Sequence, residues 1–176
     1  MSDAPDTAEE AEETAGPELL YDVPVTSSRG QTVLHTDPAG HHDLIATLRG
    51  DGYRMCIDLT VVDYLEHMGR ELPAGVTGER FEVVTQFLDH EQRRRIRVRT
   101  QVPADDATVP TITDLFPGAD AMEREGWDMY GVGFDGHPDL SRILMPETWE
   151  GHPLRKDYDV GRIPVQFKQP LQQGGA

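Results

Sequence analysis

The spacing of apolar and polar positions marks out the elements of this chain. In residues 37–50, His41, Leu44, Ile45 and Leu48 recur at helical spacing, which predicts an amphipathic helix. Asp37 suits its N-cap, Pro38 its first position and Gly50 its stop. Over residues 53–65 the period drops to two. Tyr53, Met55, Ile57, Leu59 and Val61 alternate with Arg54, Cys56, Asp58 and Thr60, as in a half-buried strand. Residues 80–88 (RFEVVTQFL) and 94–102 (RRIRVRTQV) predict two more strands, joined by a short hairpin loop at Asp89–Arg93. Gly69, Pro73, Gly75 and Gly78 make residues 66–79 a loop, and Pro103–Pro110 is a break. Thr111–Phe116 predicts a short helix. A second helix is predicted over 119–130, with Asp120 as N-cap, Glu123 at capping-box spacing and Gly131 as the stop. From there to Pro164, Gly and Pro recur without any long periodic segment, which predicts extended structure and turns.

These elements define an α+β fold. A small, mainly antiparallel sheet carries a few helices packed on it, and an extended, turn-rich C-terminal segment follows. The 176 residues suit one domain with spare length. Charge sets the expected limits of that domain. Residues 1–22 hold eight acids (Asp3, Asp6, Glu9, Glu10, Glu12, Glu13, Glu18, Asp22) and no Lys or Arg, half of the net charge of −16. So acidic a stretch, with few large apolar residues, buries too little surface to order itself. The expected organisation is a disordered acidic tail over 1–28, an α+β core over 29–131, an extended partner-binding segment over 132–168 and a loose C-terminus over 169–176.

The composition also excludes functions. A net acidic chain is a poor general binder of nucleic acid or anionic lipid. One cysteine, Cys56, rules out an intrachain disulfide, an iron–sulfur cluster or a thiolate zinc site built by this chain alone. Residues 1–22 have no basic residue and no apolar run, so they do not read as a secretion signal. No stretch approaches the ~18 uninterrupted apolar residues of a membrane span.

Four features bear on chemistry. Gly131-Val-Gly-Phe-Asp-Gly136 matches G-x-G-x-x-G, but it follows a charged helical segment and precedes His137-Pro138. A dinucleotide site needs a strand before the glycines and a helix after them, so the spacing reads as a loop. Phe134-Asp-Gly-His-Pro138 reappears as Trp149-Glu-Gly-His-Pro153. His137 and His152 with nearby acids could ligate a metal, but no tight H-x-x-x-H spacing is present, and Gly-His-Pro is a natural tight turn, which is the favoured reading. Arg93, Arg95, Arg97 and Arg99 alternate along a predicted strand, so their guanidinium groups share one face. Such a row calls for anions: Glu82 on the neighbouring strand, acids of a partner, or solvent on an outer face. Finally, residues 119–167 combine aromatics with both signs of charge and little aliphatic core, the composition that protein interfaces enrich. No nucleophile stands in a recognisable catalytic context. The residues describe an interaction subunit rather than a free-standing enzyme.

Three blocks then stand in order: Glu123-Arg-Glu-Gly-Trp-Asp-Met-Tyr-Gly131, Gly136-His-Pro-Asp-Leu-Ser-Arg-Ile-Leu144 and Glu150-Gly-His-Pro-Leu-Arg-Lys-Asp157. They resemble the 30 kDa subunit family of respiratory complex I, known in bacteria as the C subunit of NADH:quinone oxidoreductase. The strand from Ile57 to Leu65 fits the same family, and the resemblance runs roughly over residues 30–166. Ser141, where a basic residue is common, and Gly126, inside the predicted helix, depart from the pattern.

The resemblance implies a scaffold subunit of the hydrophilic arm, packed against the large 49 kDa-type quinone-site subunit. It implies no catalytic, cofactor or metal residue in this chain, while the whole complex uses FMN, iron–sulfur clusters and quinone. The motif residues it carries over as a partner interface are Glu123, Arg124, Glu125, Asp128, Gly131, Gly136, His137, Pro138, Leu140, Arg142, Gly151, His152, Pro153, Leu154, Arg155, Lys156 and Asp157. The implied location is peripheral, on the cytoplasmic face of a bacterial plasma membrane, touching the membrane only through the complex. The rivals are an equivalent subunit of a membrane-bound hydrogenase or other-donor complex, and a stand-alone His-metal enzyme.

Overall fold

The structure is a computed structural model and describes residues 16–159 and 161. Helix α1 (Pro38–Gly50) starts where the Asp37 carboxylate accepts a hydrogen bond from the Gly40 amide at 2.8 Å. This satisfies one of the free amides of the first turn. His41, Leu44, Ile45 and Leu48 form its buried face, as their spacing predicts.

Strands β1 (Leu19–Leu20), β2 (Val23–Ser28), β3 (Gln31–Thr36), β4 (Met55–Asp63), β5 (Phe81–Asp89) and β6 (Arg94–Val102) form one sheet in the order β1-β2-β3-β6-β5-β4. All neighbours are antiparallel except β3 and β6, which run parallel. Helix α1 makes the connection from β3 to β4 at the far edge. The meander β4–β5–β6 then returns to β3. Short strands β7 (Thr108–Pro110) and β8 (Gly133–Asp135) pair in parallel. Helix α2 (Asp120–Tyr130) packs over β4, and α1 packs over β6 and β7. Leu34, Ile45, Leu48, Phe81, Val83, Phe87, Val98 and Val102 are fully buried between helices and sheet.

Four expectations change. The sheet begins well inside the span expected as tail: β2 pairs with β3 from Val25–Leu34 to Ser28–Gln31. Tyr21, Val23 and Val25 pack against the core, so this part of the chain has apolar surface to bury, unlike the acidic residues before it. Residues 1–15 lie outside the described residues, as do 162–176, which include the predicted C-terminus.

Thr111–Phe116 makes a single turn, with the Phe116 amide on the Ile112 carbonyl at 2.7 Å, rather than a helix. A 3₁₀ turn (Pro117–Ala119) leads into α2, whose N-cap is Ala119 with no side-chain cap. Glu123 therefore does not close a capping box. Its carboxylate turns inward instead, accepting from the Ile112 amide at 2.8 Å and the Thr111 hydroxyl at 2.5 Å. Finally, Gly131 is no domain boundary, because Val132 and Phe134 belong to the core.

Two glycines fix how α2 sits. A Cβ at Gly126 would lie 3.0 Å from Val61 Cγ2 and 3.2 Å from the Phe134 ring. Gly126 thus trades helix propensity for close approach to β4. Gly131 ends α2 at φ +75°, in the left-handed region that favours glycine.

Candidate partner interface

Asp128, on the inner face of α2, organises the C-terminal segment. Its side chain is fully buried. Oδ2 accepts from three successive amides, Ile143, Leu144 and Met145, at 3.0, 2.8 and 2.9 Å. Oδ1 accepts from Arg142 Nη1 at 2.6 Å. Burial by itself raises this carboxyl. The amides and the Arg142 guanidinium outweigh burial and hold it down at about 2. Arg142 reaches on from Nη2 to the Trp149 and Gly151 carbonyls at 2.8 and 3.2 Å. Arg124 donates to the Ser141 carbonyl, the Ser141 hydroxyl and the Arg142 carbonyl, each at 3.1 Å. Ser141 is thereby an acceptor for the motif arginine.

The two histidines of the echo are separate structural pins. His137 Nε2 lies 3.3 Å from the Asp120 carbonyl, and its Nδ1 accepts from the Asp139 amide at 3.1 Å. His152 Nδ1 meets the Asp128 carbonyl at 3.0 Å. A Cβ on Gly131 would stand 2.7 Å from the His152 ring. Among the described residues no group of three or more His, Cys, Asp or Glu could hold a metal ion. The G-x-G-x-x-G stretch is the end of α2, the strand β8 and a turn at Gly136 (φ +81°), not a strand-to-helix phosphate loop.

A second anchor lies at the end of β4. Asp63 has the same inward parity as Leu59 and Val61, and its side chain is fully buried. It pairs with Arg80 through two contacts at 3.0 and 2.9 Å and accepts from the Leu65 and Lys156 amides at 3.0 and 2.9 Å. Burial opposes the charge. Arg80 and these amides outweigh burial and lower the carboxyl below its ordinary range. Arg80 also pairs with Asp157 at 2.8 Å, which holds that carboxyl at about 2. The Arg155 guanidinium sits 5.1 Å from the centre of the Phe81 ring. The Leu154 amide donates to the Met129 carbonyl at 2.9 Å. A carboxylate on the apolar face of a strand requires a partner. Asp63 carries that signal in the sequence, yet it is absent from the predicted interface residues.

The motif residues thus converge on one region, and most of them bond within this chain. Glu123, Arg124, Asp128, His137, Arg142 and His152 serve α2 and the loop. Arg155, Asp157 and the Lys156 backbone serve the β4–β5 end. Leu140 packs on the core. Gly151 (φ +85°) and Pro153 shape turns. Glu125 and Pro138 are exposed, and their side chains make no hydrogen bond or ion pair among the described residues. What this scaffolding leaves outward is apolar: Ile143, Leu144 and Leu154 are 40, 59 and 45% exposed.

The arginine row is shorter than its spacing predicts. Arg93 lies in the turn at φ +52°, so only Arg95, Arg97 and Arg99 share the outer face of β6. Arg99 meets the fully buried Glu82 at 2.6 Å, as anticipated. Glu82 also accepts from Gln101 at 2.5 Å and lies 3.8 Å from Arg70. Arg97 donates to Gln31 at 3.1 Å.

Fold and motif together define a sheet-and-helix domain whose charged motif closes an ordered C-terminal loop. The chain belongs to the respiratory-chain NADH dehydrogenase 30 kDa subunit family, whose profile matches residues 34–163. The C subunit of the NADH-quinone oxidoreductase of Salinispora arenicola is 40% identical over 147 residues, covering 82% of this chain and 56% of that protein. Its counterpart in Roseiflexus castenholzii is 44% identical over 142 residues, 79% of this chain and 76% of that protein. The chain spans about half the length of the first of these relatives. Among solved structures, the trypsin-resistant fragment of Nqo5 is 30% identical with TM-score 0.59, covering 67% of this chain and 89% of that one. A chain of the archaeal membrane-bound sulfane sulfur reductase is 21% identical with TM-score 0.65, covering 87% and 91%, a likeness of fold alone.

Proposed function

We propose that the chain is a non-catalytic scaffold subunit in the peripheral arm of a proton-translocating NADH:quinone oxidoreductase. It docks against the large quinone-site subunit through its C-terminal loop. The observation that carries this reading is the use of the motif: its charges are spent on holding residues 137–157 in place, and the held loop turns Ile143, Leu144 and Leu154 to solvent. A pre-ordered apolar loop loses little entropy on docking. Flavin, iron–sulfur clusters and quinone belong to other subunits in this reading. Among the described residues no helix is long and apolar enough to cross a membrane, so attachment to the cytoplasmic face runs through the complex. The test is co-purification of the tagged chain from detergent-solubilised membranes with NADH-dependent quinone reductase activity. Recovery of the chain alone would refute it.

The fold likeness to a chain of a sulfane sulfur reductase complex supports a second reading, the same scaffold role beside a different electron donor. The 37–44% identity to NADH-quinone oxidoreductase subunits favours NADH. Assaying the co-purified complex with NADH and with alternative donors separates the two.

A further inference from the structure

We propose that the loop between β4 and β5 is the second half of the docking surface: Leu65 and Met68 pack on the same neighbouring subunit that the C-terminal loop grips. This rests on the docking reading above and adds to it a segment distant in sequence. The first observation is where the exposed apolar side chains lie. Among the described residues eight large ones are exposed. Leu19 and Leu20 sit on β1 and Met55 at the start of β4; the other five are Leu65, Met68, Ile143, Leu144 and Leu154. Single exposed apolar side chains are ordinary, whereas a group of them marks a contact surface.

A chain of backbone anchors joins that group. Asp128 binds the amides of Ile143 and Leu144. Met129, the next residue of α2, accepts from the Leu154 amide at 2.9 Å. Two residues further on, the Lys156 amide donates to Asp63 Oδ2 at 2.9 Å, and the other oxygen of that carboxylate accepts from the Leu65 amide at 3.0 Å. One buried side chain therefore holds the two loops beside each other, with Leu65 on one and Leu154 close by on the other. Met68 follows a turn closed by the His67 amide on the Tyr64 carbonyl at 2.8 Å.

The β4–β5 loop is built as the C-terminal loop is, with its polar bonds turned into the chain and apolar tips left outside. The Tyr64 amide donates to the Arg80 carbonyl at 2.7 Å and closes the base of the loop. The Arg70 side chain, 6% exposed, stands 3.7 Å from the centre of the Tyr64 ring. It donates to Gln101 at 2.6 Å and to the Glu79 carbonyl at 3.0 Å. Leu72 turns inward to Gly78, where a Cβ would stand 2.9 Å from its Cδ1. Leu65 and Met68, 40 and 47% exposed, are the large apolar side chains that this packing leaves out. A surface fixed beforehand loses little entropy on docking. The occupant is the neighbour of the C-terminal loop, presenting an apolar strip. The two apolar segments are bonded through one carboxylate, so a body that covers Leu154 also meets Leu65.

The test is a photo-activatable benzophenone side chain placed at Met68, and separately at Leu144, in the full chain within the complex from detergent-solubilised membranes. Mass spectrometry identifies the cross-linked product. Both labels should capture one and the same subunit, the large quinone-site subunit of the reading above. In parallel, Leu65→Asp/Met68→Asp should lower the occupancy of the chain in the complex about tenfold or more, with its thermal melt unchanged. Leu19→Asp/Leu20→Asp, at the opposite edge of the sheet, should leave occupancy at the wild-type level. Three results would overturn the proposal and leave the C-terminal grip standing: capture of different subunits by the two labels, no capture from Met68, or wild-type occupancy of the folded Leu65→Asp/Met68→Asp chain. An equal loss in Leu19→Asp/Leu20→Asp would also overturn it, since any added surface charge would then suffice. No capture from Leu144 would overturn the docking reading and the proposal with it. Capture of a single different subunit by both labels would overturn the partner named above and keep the shared surface.

Discussion

Asp63, the last residue of β4, accepts a hydrogen bond at 2.9 Å from the backbone amide of Lys156, 93 residues later in the chain. The same carboxylate holds Arg80. A single buried side chain thus joins the sheet to the C-terminal loop. Replacing Asp63 with Ala leaves Arg80, which is only 12% exposed, with Asp157 as its one remaining carboxylate among the described residues, and removes the acceptor of the Lys156 amide. The expected loss is about 3–5 kcal/mol in a denaturant melt, the cost of breaking one side of a buried pair. Proteolysis between Trp149 and Asp157 should rise in parallel.

Gly131 and His152 form a steric pair. Gly131→Ala puts a methyl group within 2.7 Å of the imidazole and into a left-handed backbone. The backbone part costs about 1–2 kcal/mol, and the clash adds to it. In a His152→Ala background the clash disappears and only the backbone part remains. A double-mutant cycle on thermal melts reads the difference; full additivity would mean the ring moves aside freely.

Truncation after Leu140 removes every amide that Asp128 binds, together with Arg142 and the acceptors of Arg124. Asp128 is left fully buried without those partners, and Arg124 keeps only its contact with Asp120 at 3.9 Å. The truncated chain should lose its cooperative melt by circular dichroism. A sharp transition near that of the full chain would show that the loop is an appendage.

Much of the core was legible in the sequence. The helix at 37–50 and the strands at 80–88 and 94–102 appear within a residue of their predicted limits, because one face of each is apolar at a single clear period. The strand expected over 53–65 narrows to Met55–Asp63, with a register shift between Cys56 and Asp58, and Met55 is 44% exposed. Strands β2 and β3 were missed because Pro24 and the preceding acids mask a short, half-buried pattern. The capping box at Asp120 and Glu123 failed for a different reason. Spacing allows Glu123 to turn back on its own helix, but tertiary packing gives it the Thr111 hydroxyl and the Ile112 amide. The motif residues were found by resemblance. Their bonding was invisible, since Asp128 meets its three amides only once the loop has folded back.

Acid should weaken the fold in two stages. Burial, with His42 adding to it, lowers His41 to about 4 from its ordinary value near 6.5, and burial lowers His35 as well. Both fold in the neutral form, so their contribution is complete above about 6.5 and falls as the pH drops below it, that of His41 being lost towards 4. Asp128 and Asp157, held near 2, contribute above the ordinary carboxylate value near 4 and lose that contribution as pH falls towards 2. Denaturant midpoints from pH 7 to pH 2 should show both declines. Asp128→Asn should flatten the second, while a profile unchanged by that substitution would separate Asp128 from acid stability.

The central claim is that a loop built by this chain's own motif is the grip on its neighbour. Its most direct measurement is the occupancy of Ile143→Asp/Leu144→Asp in the complex recovered from detergent-solubilised membranes, compared with the wild-type chain. Both residues are exposed, and the bonds from Asp128 run to their backbone amides, so the isolated variant should melt as the wild type does. The account predicts a folded variant that no longer co-purifies with the large subunit or with NADH-dependent quinone reductase activity. A folded variant recovered in the complex at wild-type occupancy would contradict it.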